Sequence, residues 1–168
     1  WQPPPVFYFG LNRDNRRRPE ALEKVLDSLL QEWEDIYGCE DKNASLALLF
    51  QKLIVRAVKQ TGKPAVVLVD EYDKPLFEVF DDPGLLEHNK NVFKGFFVTL
   101  KSFDNYLKFV FITGVTKFSQ VSIFSDLNQL EDISMDEEFN AICGITEAEM
   151  LQTFAPEIAV MATKHNIT

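Results

Sequence analysis

The chain has 168 residues, 46% hydrophobic and 26% charged, with a formal net charge of −9 and a pI near 4.7. This length supports one domain with a real core, and the composition excludes a disordered or fibrous chain. The acidic balance makes the chain poor at neutralising phosphates, so direct nucleic-acid binding is not expected. No stretch approaches the roughly 18 consecutive apolar residues of a membrane span, and no signal peptide is visible. The two cysteines, Cys39 and Cys143, have no C-x-x-C spacing. Reduced thiols and a cytoplasmic location are the expectation, without a disulfide framework or a zinc site.

In chain order, Val6-Phe-Tyr-Phe9 is an aromatic and β-branched run closed by Gly10, which predicts a strand. The basic run Arg13–Arg18 is short, is broken by Asp14, and predicts a solvated loop. Pro19 to Tyr37 predicts a helix, with Leu22, Val25, Leu26, Leu29, Leu30, Trp33 and Ile36 at three- and four-residue spacing. A second helix is predicted from Ser45 to Gln60, ended by Thr61-Gly62-Lys63-Pro64. Ala65–Val69 is apolar without alternation and predicts a strand covered on both faces. Asp73 to Phe80 predicts a short helical turn capped by Asp73 with Pro75 near its start.

Leu85 to Phe103 predicts another helix with Val92, Phe93, Phe96, Phe97 and Leu100 as its buried stripe. Leu107–Thr113 predicts a strand ending at Gly114, and Asp132–Met135 a brief one. Thr146-Glu-Ala-Glu149 is a capping box, and a last helix covers Pro156 to Lys164. Strands alternating with helical crossovers indicate a mainly parallel α/β sheet in a three-layer α-β-α arrangement, with a helical C-terminal extension. The fifteen Phe residues imply an aromatic core or a face that meets another domain.

Functional groups in open α/β sheets gather at the carboxyl ends of the strands. At one end stands Asp70-Glu71, directly after five apolar residues. There a first carboxylate can orient water on nucleotide-bound Mg²⁺, and a second can polarise an attacking water. The plain alternative is a strand whose polar end reaches solvent and caps a turn. At the other end, Thr113-Gly-Val-Thr116 offers hydroxyls that could sense a γ-phosphate, or merely form a turn. Asp73, Lys74 and Lys117 lie near these tips. His88 and His165 are isolated and are read as surface residues, and Ser119, Ser122 and Ser125 lack a G-x-S-x-G elbow. The sequence contains no G-x-x-x-x-G-K-[S/T] phosphate loop.

Gly62-Lys-Pro-Ala-Val-Val-Leu-Val-Asp-Glu-Tyr-Asp-Lys-Pro-Leu76 resembles the Walker B region of the bacterial AAA-ATPase-like family of P-loop NTPases. The block from Phe109 to Met135, with Thr-Gly-Val-Thr-Lys-Phe-Ser at its head, resembles that family's next segment, as does Cys143–Glu149. The resemblance implies a partial AAA-like core over residues 1–145 and the start of a helical lid over 146–168. It implies that Asp70 is the Mg²⁺-associated acid acting through water, Glu71 the catalytic acid, and Thr113 the sensor-1 residue, with Asp73 and Thr116 accessory. ATP and Mg²⁺ would be cofactors of the parent protein, which is expected to carry a C-terminal PD-(D/E)xK nuclease-like domain and to be open to oligomerisation. Since the chain begins at Trp1, the phosphate loop is expected upstream, and these residues alone are not expected to be active.

Two other readings stand beside this one. The acids could be relics in a non-catalytic interaction or regulatory module whose Phe-rich face docks another domain. A metal-dependent nuclease within this chain would need an E-x-K element, and Glu40-Asp41-Lys42 fits it only on paper, in a polar break.

Overall fold

The alternation of apolar strands with amphipathic helices builds a parallel sheet with its crossover helices packed against one face. The structure is a computed structural model and describes residues 3–11, 18–38, 44–115, 127, 130–142 and 144–165. The chain forms two compact units, Trp1–Leu130 and Glu131–Thr168. In the first unit β1 is Val6–Gly10, α1 Ala21–Tyr37, α2 Leu46–Thr61, β2 Ala65–Asp70, α3 Lys74–Phe77, α4 Pro83–Ser102 and β3 Leu107–Ile112. The three strands are parallel in the order β1-β2-β3, so β2 is central. The expected α/β fold with a parallel sheet is therefore borne out.

Each helix follows its apolar stripe. In α1 the buried residues are Leu22, Leu26, Leu29, Leu30 and Trp33, while Ile36 lies at the periphery and is exposed. The helix begins at Ala21 rather than Pro19, because Glu20 turns into the left-handed region at φ 65°. In α2 the Ser45 hydroxyl accepts the Leu48 N–H at 3.4 Å, and Gly62 ends the helix at φ 67°. His88 on α4 is not isolated. Its Nε2 lies 2.8 Å from Glu23 Oε1 on α1 and ties the two helices together.

Period-two alternation then sorts the strands. Phe7, Phe9, Val67 and Val69 are buried under α1, α2 and α4, with Val110 and Ile112 packed against the same core. Phe9 meets Trp33, Phe50, Phe96 and Phe97 at centroid distances of 5.0, 5.1, 5.4 and 6.4 Å. Register places Val6, Val66 and Phe109, then Tyr8, Leu68 and Phe111, on the opposite face. That face is open among the described residues: Tyr8 is 46% and Phe109 52% exposed, and Phe109 stacks on Phe111 at 6.0 Å. The expectation that β2 is covered on both faces is corrected here. Its residues alternate buried and half-buried, and the second helical layer is not among those described.

In the second unit, α5 is Glu147–Thr153 and α6 Ala155–His165. The capping box is present. Hydrogen bonds from the Thr146 hydroxyl and backbone hold the Glu149 carboxyl below its usual range. The strand expected at Asp132–Met135 is a turn instead. Asp132 Oδ1 accepts both the N–H and the hydroxyl of Ser134, at 3.0 and 2.6 Å, and this local bonding displaces a ladder.

Candidate functional site at the strand tips

Parallel strands end together, so β1, β2 and β3 deliver Gly10, Asp70 and Thr113 to one rim. The backbone ladder continues past the strands and fixes this rim. Leu11 N–H donates to the Asp70 carbonyl at 3.0 Å, Thr113 N–H to Val69 at 2.8 Å, and Tyr72 N–H to Thr113 at 3.0 Å. At Glu71 the chain turns sharply through the left-handed region, with φ 55°. Glu20 shares that geometry at a helix start, so it is not by itself the mark of a site.

Asp70 is the hub. The Thr113 hydroxyl donates to Asp70 Oδ1 at 2.5 Å, and the Tyr8 hydroxyl donates to Oδ2 at 3.1 Å. The Thr113 oxygen in turn accepts the Glu71 N–H at 3.3 Å. The two oxygens of one carboxylate are thus each met by a hydroxyl from a different neighbouring strand. Asp70 and Glu71 remain half-buried, which leaves them open to a bound ligand.

Asp73 behaves differently from the expected helix cap. Its side chain makes no capping bond to α3. The carboxylate, 2% exposed, accepts the Val115 N–H at 2.8 Å through Oδ2 and so latches the segment after β3 to the segment after β2. The buried Tyr72 ring closes the same junction against Gly114. A Cβ there would lie 2.3 Å from Tyr72 Cε1 and 3.0 Å from Asp73 Oδ1. Gly114→Ala should therefore destabilise by about 1–3 kcal/mol, the usual cost of overpacking a fitted contact. Denaturant unfolding checks this, and an unchanged midpoint would mean that the Tyr72 ring can step aside freely. Below this junction the Asn89 amide donates to the Pro75 carbonyl at 3.0 Å and holds α3 on α4.

A model of the family described as predicted AAA-ATPase matches residues 2–124. The chain belongs to the predicted AAA-ATPase family. The match to this AAA-ATPase family ends before the second compact unit begins. Among curated relatives, the chain is similar to an uncharacterized protein in the vnfD 5′ region of Azotobacter chroococcum mcd 1. They are 36% identical over 154 residues, covering 92% of this chain and 30% of that relative. The AAA-ATPase-family segment thus spans less than a third of the relative's length. No solved structure matches it.

Of the residues singled out in this AAA-ATPase-family chain, Asp70, Glu71, Thr113 and Asp73 come together at one rim. Thr116, Lys117 and the three serines lie outside the described residues, as do Glu40-Asp41-Lys42 and both cysteines. Lys74 is exposed at the start of α3. The sequence does not single out Tyr8, because in an aromatic strand a tyrosine reads as packing. Its signal is only the hydroxyl two residues before a glycine on the strand neighbouring the acids.

Among the described residues no group of three or more His, Cys, Asp and Glu could hold a metal ion, and no helix is long and apolar enough to cross a membrane. The donor set nevertheless fits Mg²⁺ in one manner. Magnesium keeps most of its waters and takes one or two carboxylates beside substrate phosphates. Asp70, with both oxygens already accepting hydroxyl protons and lone pairs to spare, suits a contact through a metal-bound water better than direct ligation.

Proposed function

We propose that this chain carries the acidic and sensor side of a Mg²⁺-ATP binding and hydrolysis centre in a longer protein. The observation that carries the reading is the hydrogen bond from Thr113 at the tip of β3 to Asp70 at the tip of β2, with Glu71 beside both. In this reading Asp70 orients water of the nucleotide-bound metal, and Glu71 positions and polarises the water that attacks. Thr113 links the two and faces the transferred phosphate. When bound, Mg²⁺ supplies charge neutralisation for phosphoryl transfer. Phosphate cradling comes from elsewhere in the longer protein, since the sequence has no phosphate loop. A C-terminal nuclease-like domain and self-association belong to the same proposal about the longer protein.

The test is nucleotide titration of the full-length protein with and without Mg²⁺. Wild type should bind ATP with Mg²⁺ present, and Asp70→Asn should weaken the Mg²⁺-dependent part by about 10-fold or more. A carboxamide can accept on one side only, so its NH₂ would confront either the Tyr8 or the Thr113 hydroxyl. No nucleotide binding by wild type would overturn the proposal. It would favour the interaction-module reading, for which the open apolar face with Phe109 and Phe111 speaks.

A further inference from the structure

We infer that Tyr8 is a positioning residue for Asp70 and that Gly10 is the seat that lets it reach. The inference deepens the proposed Mg²⁺-ATP reading and rests on it.

Tyr8 and Gly10 lie two residues apart on one strand and so face the same side of the sheet. Gly10 is paired with Asp70 in the register. A residue with a Cβ at position 10 would crowd the outer end of the Tyr8 ring. Built there, that Cβ would lie 3.1 Å from Tyr8 Cε1, 3.3 Å from its hydroxyl oxygen and 3.4 Å from Cζ. The ring therefore leans along the strand, across the space the glycine leaves empty, and its hydroxyl meets Asp70 Oδ2 at 3.1 Å. The glycine here is needed for space and not for an unusual backbone angle.

The terminal torsion of an aspartate is broad when nothing holds it. In this chain it is held from both sides. Thr113 donates from β3 to Oδ1 and Tyr8 donates from β1 to Oδ2, so the carboxylate plane is set between two strands that flank its own. The remaining lone pairs then point in fixed directions and would be available to a water of a nucleotide-bound metal. Tyr8 touches neither nucleotide nor metal in this scheme. It acts through Asp70, as outer residues orient the groups that meet a metal. The phenol is 46% exposed, which puts the expected effect at the low end of such contributions.

The experiment uses the full-length protein, with ATP as ligand and Mg²⁺ as the varied component. Tyr8→Phe keeps the ring and removes the hydroxyl. It should raise the Mg²⁺ concentration for half-maximal ATP binding by about 10-fold, with Mg²⁺-free ATP binding and the melting temperature unchanged. Gly10→Ala should shift the Mg²⁺ dependence the same way and by a smaller factor, because the ring end must give by a few tenths of an ångström and lengthen its bond to Asp70. The double variant should be no worse than the worse single one, since both act through one contact.

A wild-type Mg²⁺ dependence in Tyr8→Phe overturns the inference while leaving the proposed function standing. Additive effects of the two substitutions overturn the role of Gly10 as seat. A loss of Mg²⁺-free binding or of melting temperature as large as the Mg²⁺ effect makes Tyr8 a structural residue and also overturns it. Absence of Mg²⁺-dependent ATP binding in wild type removes the proposed function itself, and the inference falls with it.

Discussion

Phe9→Ala should cost about 3–5 kcal/mol of folding stability, the range for emptying a buried Phe site. Phe9 is fully buried and meets rings from α1, α2 and α4 together. Removing it opens a void that no single helix can close, because each helix is also held by its contacts to the others. Phe7 is braced by Trp33 and Phe50 in the same layer and cannot slide across to fill the space. A domain of this size has only about 5–15 kcal/mol in reserve, so a large share of it would go. Phe109→Ala is the control. That ring is 52% exposed on the open face, with Phe111 as its stacking partner, and its loss should cost about 1 kcal/mol or less. Denaturant unfolding of both variants measures the difference directly. Equal costs would mean that the two faces of the sheet are equally packed.

Glu71→Gln in the full-length protein should keep Mg²⁺-ATP binding and lower turnover by about 100-fold or more, the usual scale for a lost general base. The substitution preserves shape and the backbone bond from residue 71 to the Thr113 hydroxyl oxygen. It removes the negative charge that would polarise an attacking water. Steady-state phosphate release beside nucleotide titration separates the two effects. Turnover at the wild-type rate would take the catalytic role from Glu71, and loss of binding would make it a ligand-holding residue instead.

Much of this architecture was legible from the residues. The stripe Leu22–Trp33 declared α1, and Thr61-Gly62 declared the end of α2. Five apolar residues before Asp70-Glu71 declared β2 and its acidic tip. What the pattern could not show is which face of the sheet is covered. Ala65–Val69 is apolar throughout and Leu107–Ile112 is broken only by Lys108, so alternation carries little signal in them, and only packing separates Val67 from Leu68. Long-range pairing was hidden for a related reason. Tyr8 and Asp70 are 62 residues apart and meet only through strand register. Gly114 reads as a simple strand stop, yet its reason is the Tyr72 ring. Asp73 reads as a cap because it precedes a proline-containing turn, but its own backbone is already helical and its buried carboxylate accepts the Val115 N–H instead. At Asp132 the apolar alternation of Ile133 and Met135 suggested a strand, and a side chain bonding to its own neighbour overrode it.

The left-handed backbone at Glu71 sets stability against use at a single position. Glycine visits that region freely, whereas a residue with a Cβ is held there at a cost of about 1 kcal/mol or more. Selection for a well-folded chain alone would place glycine or asparagine after Asp70. A long acidic side chain at that turn is one the backbone resists, as it does at Glu20, and in the proposed centre the carboxylate of Glu71 is what would offset that cost. Position 71 is therefore where a stabilised version of this chain would be found most readily, and where it would give up most of what the proposed centre does.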